Sequence, residues 1–183
     1  MGAPKALVDL DGEPLLLRAL RVLTDGGCAP VVVVLGAAAD DAAPLVPAGV
    51  RAVVAEGWEE GMGASLRTGL AALQETAADA AVVHLVDLPG VSGTAVARLV
   101  AAAGPDALAR AAYGGRPGHP VLLGRAHWAG VAAVATGDAG ARDYLARHPD
   151  LTLVECGDVA SPGDIDTPEA LARFRAGRPI PGT

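Results

Sequence analysis

Aromatic side chains are scarce in this chain: two Trp, two Tyr and one Phe make up 3% of its 183 residues. A core built from this sequence has to be filled by Val, Leu and Ala, and recognition of nucleic-acid bases by aromatic stacking is not expected. Cysteine is nearly absent. Cys28 and Cys156 lie far apart and lack metal-ligand spacing, which points to two ordinary small core residues in a reduced, cytoplasmic chain. Basic charge is also short, with 14 Lys and Arg against 21 Asp and Glu, a net charge of −7 and no dense cluster. That leaves no footprint for nucleic acid. The longest apolar run, Cys28 to Ala39, is too short to span a bilayer and is interrupted by Pro30 and Gly36, so no membrane segment is expected. Met1 to Lys5 is no signal peptide.

What is present is a globular composition, 51% apolar and 19% charged, long enough for one domain with a sizeable core. One domain over residues 1–176 and a mobile tail over 177–183 are expected. Ala6–Leu10 is a short apolar stretch closed by the Asp11-Gly12 turn, and Pro14 opens a helix that Gly26-Gly27 ends. Val31–Leu35 is expected as a fully buried strand, followed by a weak helix and a strand over Val50–Ala55. A helix starts near Met62, a buried strand runs from Ala80 to Asp87, and Ser92 caps a helix to Ala103. The strand–helix alternation predicts a three-layer, doubly wound, mainly parallel α/β sheet. Further on come a strand over Ala109–Tyr113, a breaker-rich loop Gly114–Pro120, a short strand Val121–Leu123, helices over Ala126–Val134 and Ala141–Arg147, and a strand Leu151–Val154. The last helix is capped by Thr167 with Pro168 at its first position.

Four places offer chemistry. Asp87 is a lone carboxylate at the carboxyl end of a strand, where ligands of an open α/β sheet collect. It is suited to a hard divalent cation held together with phosphates, or else it opens the Pro89-Gly90 turn. Asp164 and Asp166 alternate in an extended segment and so point one way, and one of them can meet Asp87 across the crevice. The other reading is an acid-rich helix start. The Gly61–Gly69 stretch, with Met62, Gly63, Ser65 and Arg67, either brings backbone N–H groups close to a ligand or packs tightly on its sheet. His119 stands between Gly118 and Pro120, aimed by them for acid–base work or substrate contact, or simply on the surface.

Taken in order, Met1-Gly2-Ala3-Pro4-Lys5, Glu60-Gly61-Met62-Gly63-Ala64-Ser65-Leu66-Arg67-Thr68-Gly69-Leu70, Asp87-Leu88-Pro89 and Gly114-Gly115-Arg116-Pro117-Gly118-His119-Pro120-Val121 resemble the MobA-like nucleotidyltransferases, in particular their molybdenum cofactor cytidylyltransferase branch. Asp164-Ile165-Asp166-Thr167-Pro168-Glu169 supports the likeness, which spans nearly the whole chain. The resemblance implies a Rossmann-like nucleotidyltransferase fold. It also implies transfer of a nucleotidyl group from a nucleoside triphosphate to molybdopterin with release of pyrophosphate. By that likeness Lys5 neutralises the phosphates, and Asp87, with Asp166 and then Asp164, holds Mg²⁺. Gly61, Met62, Gly63 and Ser65 lie near base and ribose, and His119 with Gly118 near the acceptor.

Pro4-Lys5 is closer to the cytidylyl branch than to the Asp-Lys of the guanylyl branch, so the resemblance favours CTP over GTP. It also implies a possible recipient molybdoenzyme or its chaperone as a partner. The family places a strand and a turn of the type Leu-Ala-Ala-Gly-x-x-x-Arg ahead of the methionine that is Met1 here, and the fold is expected without them. Two alternatives stay open: a nucleotidyltransferase for another small phosphorylated acceptor, and a nucleotide- or pterin-binding assembly partner without turnover.

Overall fold

A computed structural model describes residues 4–178 and 180. Met1, Gly2 and Ala3 of the first resembling stretch lie outside the described residues, as do Pro179 and residues 181–183 of the expected tail. In chain order the elements are β1 (Asp9–Leu10), β2 (Glu13–Pro14), α1 (Leu15–Asp25), β3 (Val32–Leu35), α2 (Ala39–Ala42), β4 (Arg51–Val54), α3 (Met62–Gln74), β5 (Ala80–Val83), α4 (Gly93–Val100), β6 (Leu108–Tyr113), β7 (Arg116–Gly124), α5 (Trp128–Val134), α6 (Arg142–Leu145), β8 (Thr152–Glu155) and α7 (Pro168–Arg175).

The chain is a three-layer α/β fold. Its larger sheet has the order β5-β7-β6-β8, and β3 pairs in parallel with β4. β5 and β6 both run antiparallel to β7, while β8 runs parallel to β6, so β7 alone is reversed and the sheet is mainly parallel. Successive residues of a strand face opposite sides, and helices cover both. On one side Ala109, Ala111 and Leu122 pack with Val22 of α1 and Val96 and Leu99 of α4. On the other, Leu108, Val121 and Leu123 pack with Leu70 of α3, Trp128 and Val131 of α5 and Leu145 of α6. With so few rings available, Val, Leu and Ala fill both layers; Trp128 is the one large aromatic sunk in the core, its indole N–H donating to the Leu123 carbonyl at 2.8 Å.

Several local expectations are corrected. The strand before Asp87 ends at Val83, whose partner on β7 is Val121, and the ladder between the two strands goes no further. Asp87 therefore sits in the turn beyond the strand. The loop expected over Gly114–Pro120 is mostly strand: Gly114 and Gly115, with φ of 60° and 77°, make a two-residue hairpin turn, and β7 begins at Arg116. β3 is only partly buried along Val32–Val34, because β4 is its sole ladder partner among the described residues and one flank stays open. The expected helices over Ala126–Val134 and Ala141–Arg147 shorten to α5 and α6, and the Ser92-capped helix stops at Val100. The caps themselves are as read: Ser92 Oγ accepts from the Ala95 N–H at 3.2 Å and Thr167 Oγ1 from the Ala170 N–H at 3.1 Å. Ile180 lies against Gly163, where an added Cβ would meet the Ile180 Cβ at 2.5 Å.

Candidate active site

Three distant segments meet beyond the carboxyl ends of β3 and β5. Ala6 and Leu7, Leu35 and Ala39, and Val86 share one apolar cluster, and this fixes their neighbours Lys5, Gly36 and Asp87 along one rim. The segment ahead of α7 is tied to the same place by its backbone. The Ile165 N–H donates to the Asp87 carbonyl oxygen at 2.8 Å while the Ile165 side chain is fully buried. Since alternate residues face alternate ways, burying Ile165 turns its two flanking acids toward the rim.

Lys5 Nζ donates to Asp87 Oδ2 at 2.8 Å and also to Asp166 Oδ1. Two carboxylates 79 residues apart in sequence thus converge on one cationic nitrogen. Burial disfavours the ammonium, but its hydrogen bonds to Asp166 and Asp87 and their charges outweigh it and hold Lys5 above its ordinary range. The Lys5 side chain is 40% exposed and those of Asp87 and Asp166 are 19% and 52% exposed, so the trio opens to solvent on one side. Asp87 Oδ1 is buried and has no hydrogen-bond partner. Hard oxygen donors, a cation already drawn between them and one unsatisfied carboxylate oxygen fit a divalent ion. Among the described residues no group of three or more His, Cys, Asp or Glu converges on such an ion. The pair therefore suits a metal that keeps water or phosphate oxygens in its remaining positions.

In the Gly61–Ser65 stretch the glycines lie close against another segment of the protein. Gly61 has φ 105°, and a Cβ there would meet the Gly137 carbonyl carbon at 2.6 Å; one on Gly63 would meet Ala135 C and O at 2.7 Å. Both glycines thus serve close packing against 135–138. The Met62 N–H faces Asp138 Oδ1 at 3.4 Å, and Arg67 donates to the Ala135 carbonyl at 2.5 Å and to Glu60 Oε2 at 3.0 Å. Arg67, read as a ligand donor, is a strut. Ser65 is half-buried in the first turn of α3.

His119 and Gly118 lie within β7. A Cβ on Gly118 would meet the Tyr113 ring at 2.8 Å, and its carbonyl accepts from Arg110 Nε at 3.1 Å. The His119 carbonyl accepts from the Tyr113 hydroxyl at 2.7 Å, while its ring hydrogen-bonds the Val83 backbone and leaves Nδ1 buried without a partner. Burial, then the nearby Arg110 charge, lowers its pKa. Sequence reasoning passed over His84. Burial and the neighbouring His119 push its pKa down to about 4, and its Nδ1 is also buried without a partner. Its signal was legible as one imidazole inside the apolar run Val82-Val83-His84-Leu85-Val86.

Residues 1–151 match the MobA-like NTP transferase domain. The nicotine blue oxidoreductase of Paenarthrobacter nicotinovorans is 38% identical over 182 residues, covering 93% of this chain and 87% of that protein. The crystal structure of Rv0371c from Mycobacterium tuberculosis is similar with a TM-score of 0.80 at 27% identity, over 96% of this chain and 90% of that one. Its complex with manganese is similar with a TM-score of 0.78 at 25% identity, over 94% and 91% of the two chains. With that match over most of its length, the chain belongs to the MobA-like NTP transferase domain family and takes its place among nucleotidyltransferases of that type.

Proposed function

We propose that the chain transfers a nucleotidyl group from a nucleoside triphosphate, CTP rather than GTP, to molybdopterin, with Mg²⁺ as cofactor. The observation that supports this reading is the convergence of Asp87 and Asp166 on the Lys5 ammonium. In the proposed reaction a phosphate oxygen of the acceptor attacks the α-phosphorus. A new phosphoanhydride bond forms, the bond from the α-phosphorus to the bridging β-oxygen breaks, and pyrophosphate leaves with that electron pair. Asp87 and Asp166 would hold the metal, with Asp164 beside them, and the metal when bound supplies charge neutralisation to phosphate oxygens. Lys5, released from the carboxylates, turns its ammonium to the triphosphate. His119, neutral at pH 7 because burial lowers its pKa, would act at the acceptor as a hydrogen-bonding group rather than as a charge. Positioning and charge neutralisation are most of what phosphoryl transfer asks of a protein.

Pyrophosphate release is the assay, with CTP or GTP, Mg²⁺ and molybdopterin supplied. Release with CTP above GTP is expected. Release only with another phosphorylated acceptor replaces molybdopterin in this reading, and release with neither nucleotide overturns it. A second reading comes from the relative named for nicotine blue oxidoreductase: two-electron redox turnover of nicotine blue by this chain, with an added nicotinamide nucleotide as the electron donor or acceptor. Turnover of that compound without pyrophosphate release from any nucleotide would put the second reading first.

A further inference from the structure

Trp58 stands apart from the other aromatic residues. Trp128 is fully buried, Tyr113 bonds the His119 carbonyl, Tyr144 stacks on His148 with centroids 4.1 Å apart, and Phe174 lies under Arg18 at 5.9 Å. Each of these four rings is used inside the protein. Trp58 is 41% exposed, and near it in sequence Val54 is 56% and Met62 43% exposed. Packing alone does not account for leaving an indole in water in a chain with so few rings, since burying one contributes a large apolar area.

Its placement is built. Trp58 opens a single 3₁₀ turn, Trp58–Glu60, flanked by Gly57 and Gly61 at φ 79° and 105°, both in the region that glycine favours. The turn is closed by the Gly61 N–H on the Trp58 carbonyl at 3.1 Å. The base of the side chain rests on Gly36, where an added Cβ would stand 3.2 Å from Trp58 Cβ and 3.4 Å from Cγ. Gly36 directly follows β3, and Trp58 follows the end of the parallel neighbour β4 by four residues. The side chain thus rests at the carboxyl end of β3, whose Leu35 shares an apolar cluster with Ala6 and Val86, the sequence neighbours of Lys5 and Asp87.

We infer that Trp58 is a stacking platform for a flat heteroaromatic ring bound at this rim, carried either by the nucleoside triphosphate or by a ring-bearing acceptor. The composition argues against aromatic base recognition as a general mode, yet one ring in the right place serves a single ligand. This inference rests on the nucleotidyl-transfer reading for its ligand, and the experiment separates the two.

The chain has only two tryptophans, so with Trp128 sealed in the core, ligand-dependent change in tryptophan emission reports Trp58. Full-length protein with Mg²⁺ is titrated with CTP, with inorganic triphosphate as the ringless control and with 6-hydroxymethylpterin as the acceptor-ring probe. The expected result is saturable quenching by CTP, none by triphosphate, and loss of the signal in Trp58→Ala, whose remaining Trp128 emission verifies folding. Trp58→Ala should raise KM for CTP about 10-fold with kcat within about 2-fold, and Trp58→Tyr should stay within about 3-fold of the parent, as the loss of one stacked ring predicts. Quenching by the pterin but not by CTP assigns the ring to the acceptor. Pyrophosphate release with no quenching by either ring compound, or an unchanged KM in Trp58→Ala for the substrate whose ring quenches, overturns the inference and leaves the function standing. Saturable quenching without pyrophosphate release overturns the function and leaves the platform.

Discussion

The Ile165 N–H donates to the Asp87 carbonyl at 2.8 Å, and this one backbone bond sets the acids of two remote segments side by side. Asp87 and Asp166 then share the Lys5 ammonium. Asp87→Asn keeps the shape and removes the charge. Pyrophosphate release is expected to fall on the order of 100-fold or more, as for loss of a group acting on transition-state charge, with the far-ultraviolet spectrum and melting temperature little changed. Undiminished release would reduce Asp87 to a turn residue.

Lys5 is the counter-ion of both acids while no ligand is bound, so Lys5→Met leaves two carboxylates without their shared cation. All three side chains reach solvent, and the expected loss of stability is under about 1 kcal/mol. The loss in turnover is expected to be far larger, on the order of 100-fold, if the ammonium serves the phosphates. A Tm change out of proportion to the activity change would show that Lys5 is mainly a structural clamp.

Folding holds His84 near pKa 4, against an ordinary 6.5, chiefly through burial. Between those values the unfolded chain takes up a proton that the native chain does not. The contribution is therefore complete above about pH 6.5 and is lost as pH falls toward 4, on the order of 3 kcal/mol at most. His119 is shifted in the same direction and adds to the slope. Melting curves from pH 7 to pH 4.5 measure it, and His84→Leu should flatten the profile. A profile equally steep in that variant would move the acid sensitivity elsewhere.

Gly63→Ala would press a methyl against the Ala135 carbonyl group at 2.7 Å. Backbone cannot yield cheaply there, and a loss of about 1–3 kcal/mol is expected, seen as a lower Tm in protein without any ligand. An unchanged Tm with weakened nucleotide binding would restore the reading of Gly63 as a ligand-approach glycine.

Trp128→Phe removes the indole N–H, takes one hydrogen bond from the buried Leu123 carbonyl and opens space in the core. The expected cost is about 2–4 kcal/mol in chemical denaturation. A cost well under 1 kcal/mol would mean that the N–H contributes nothing net.

Local rules carried much of the fold. The Asp11-Gly12 turn, the Pro14 and Thr167 helix starts, the Ser92 cap and the strand at Arg51–Val54 depend on neighbours in sequence, and the structure has them where the residues imply. The paired acids were legible for the same reason: alternation around Ile165 is a property of the extended backbone. Other features answer to partners far along the chain. That β5 ends at Val83 depends on where its ladder with β7 stops, and that Gly61 and Gly63 pack closely depends on 135–138. The run Arg116–Pro120 is strand because β6 supplies a ladder, Tyr113 opposite Arg116 and Ala112 opposite Pro117, that its prolines and glycines do not favour alone. The amino-acid sequence by itself determined the alternating elements, their caps and the identity of the acids, because those follow from local geometry. Only the tertiary structure decided strand order, which glycines face protein, and that Lys5 lies between Asp87 and Asp166, because each of these turns on contacts between segments that no local rule brings together.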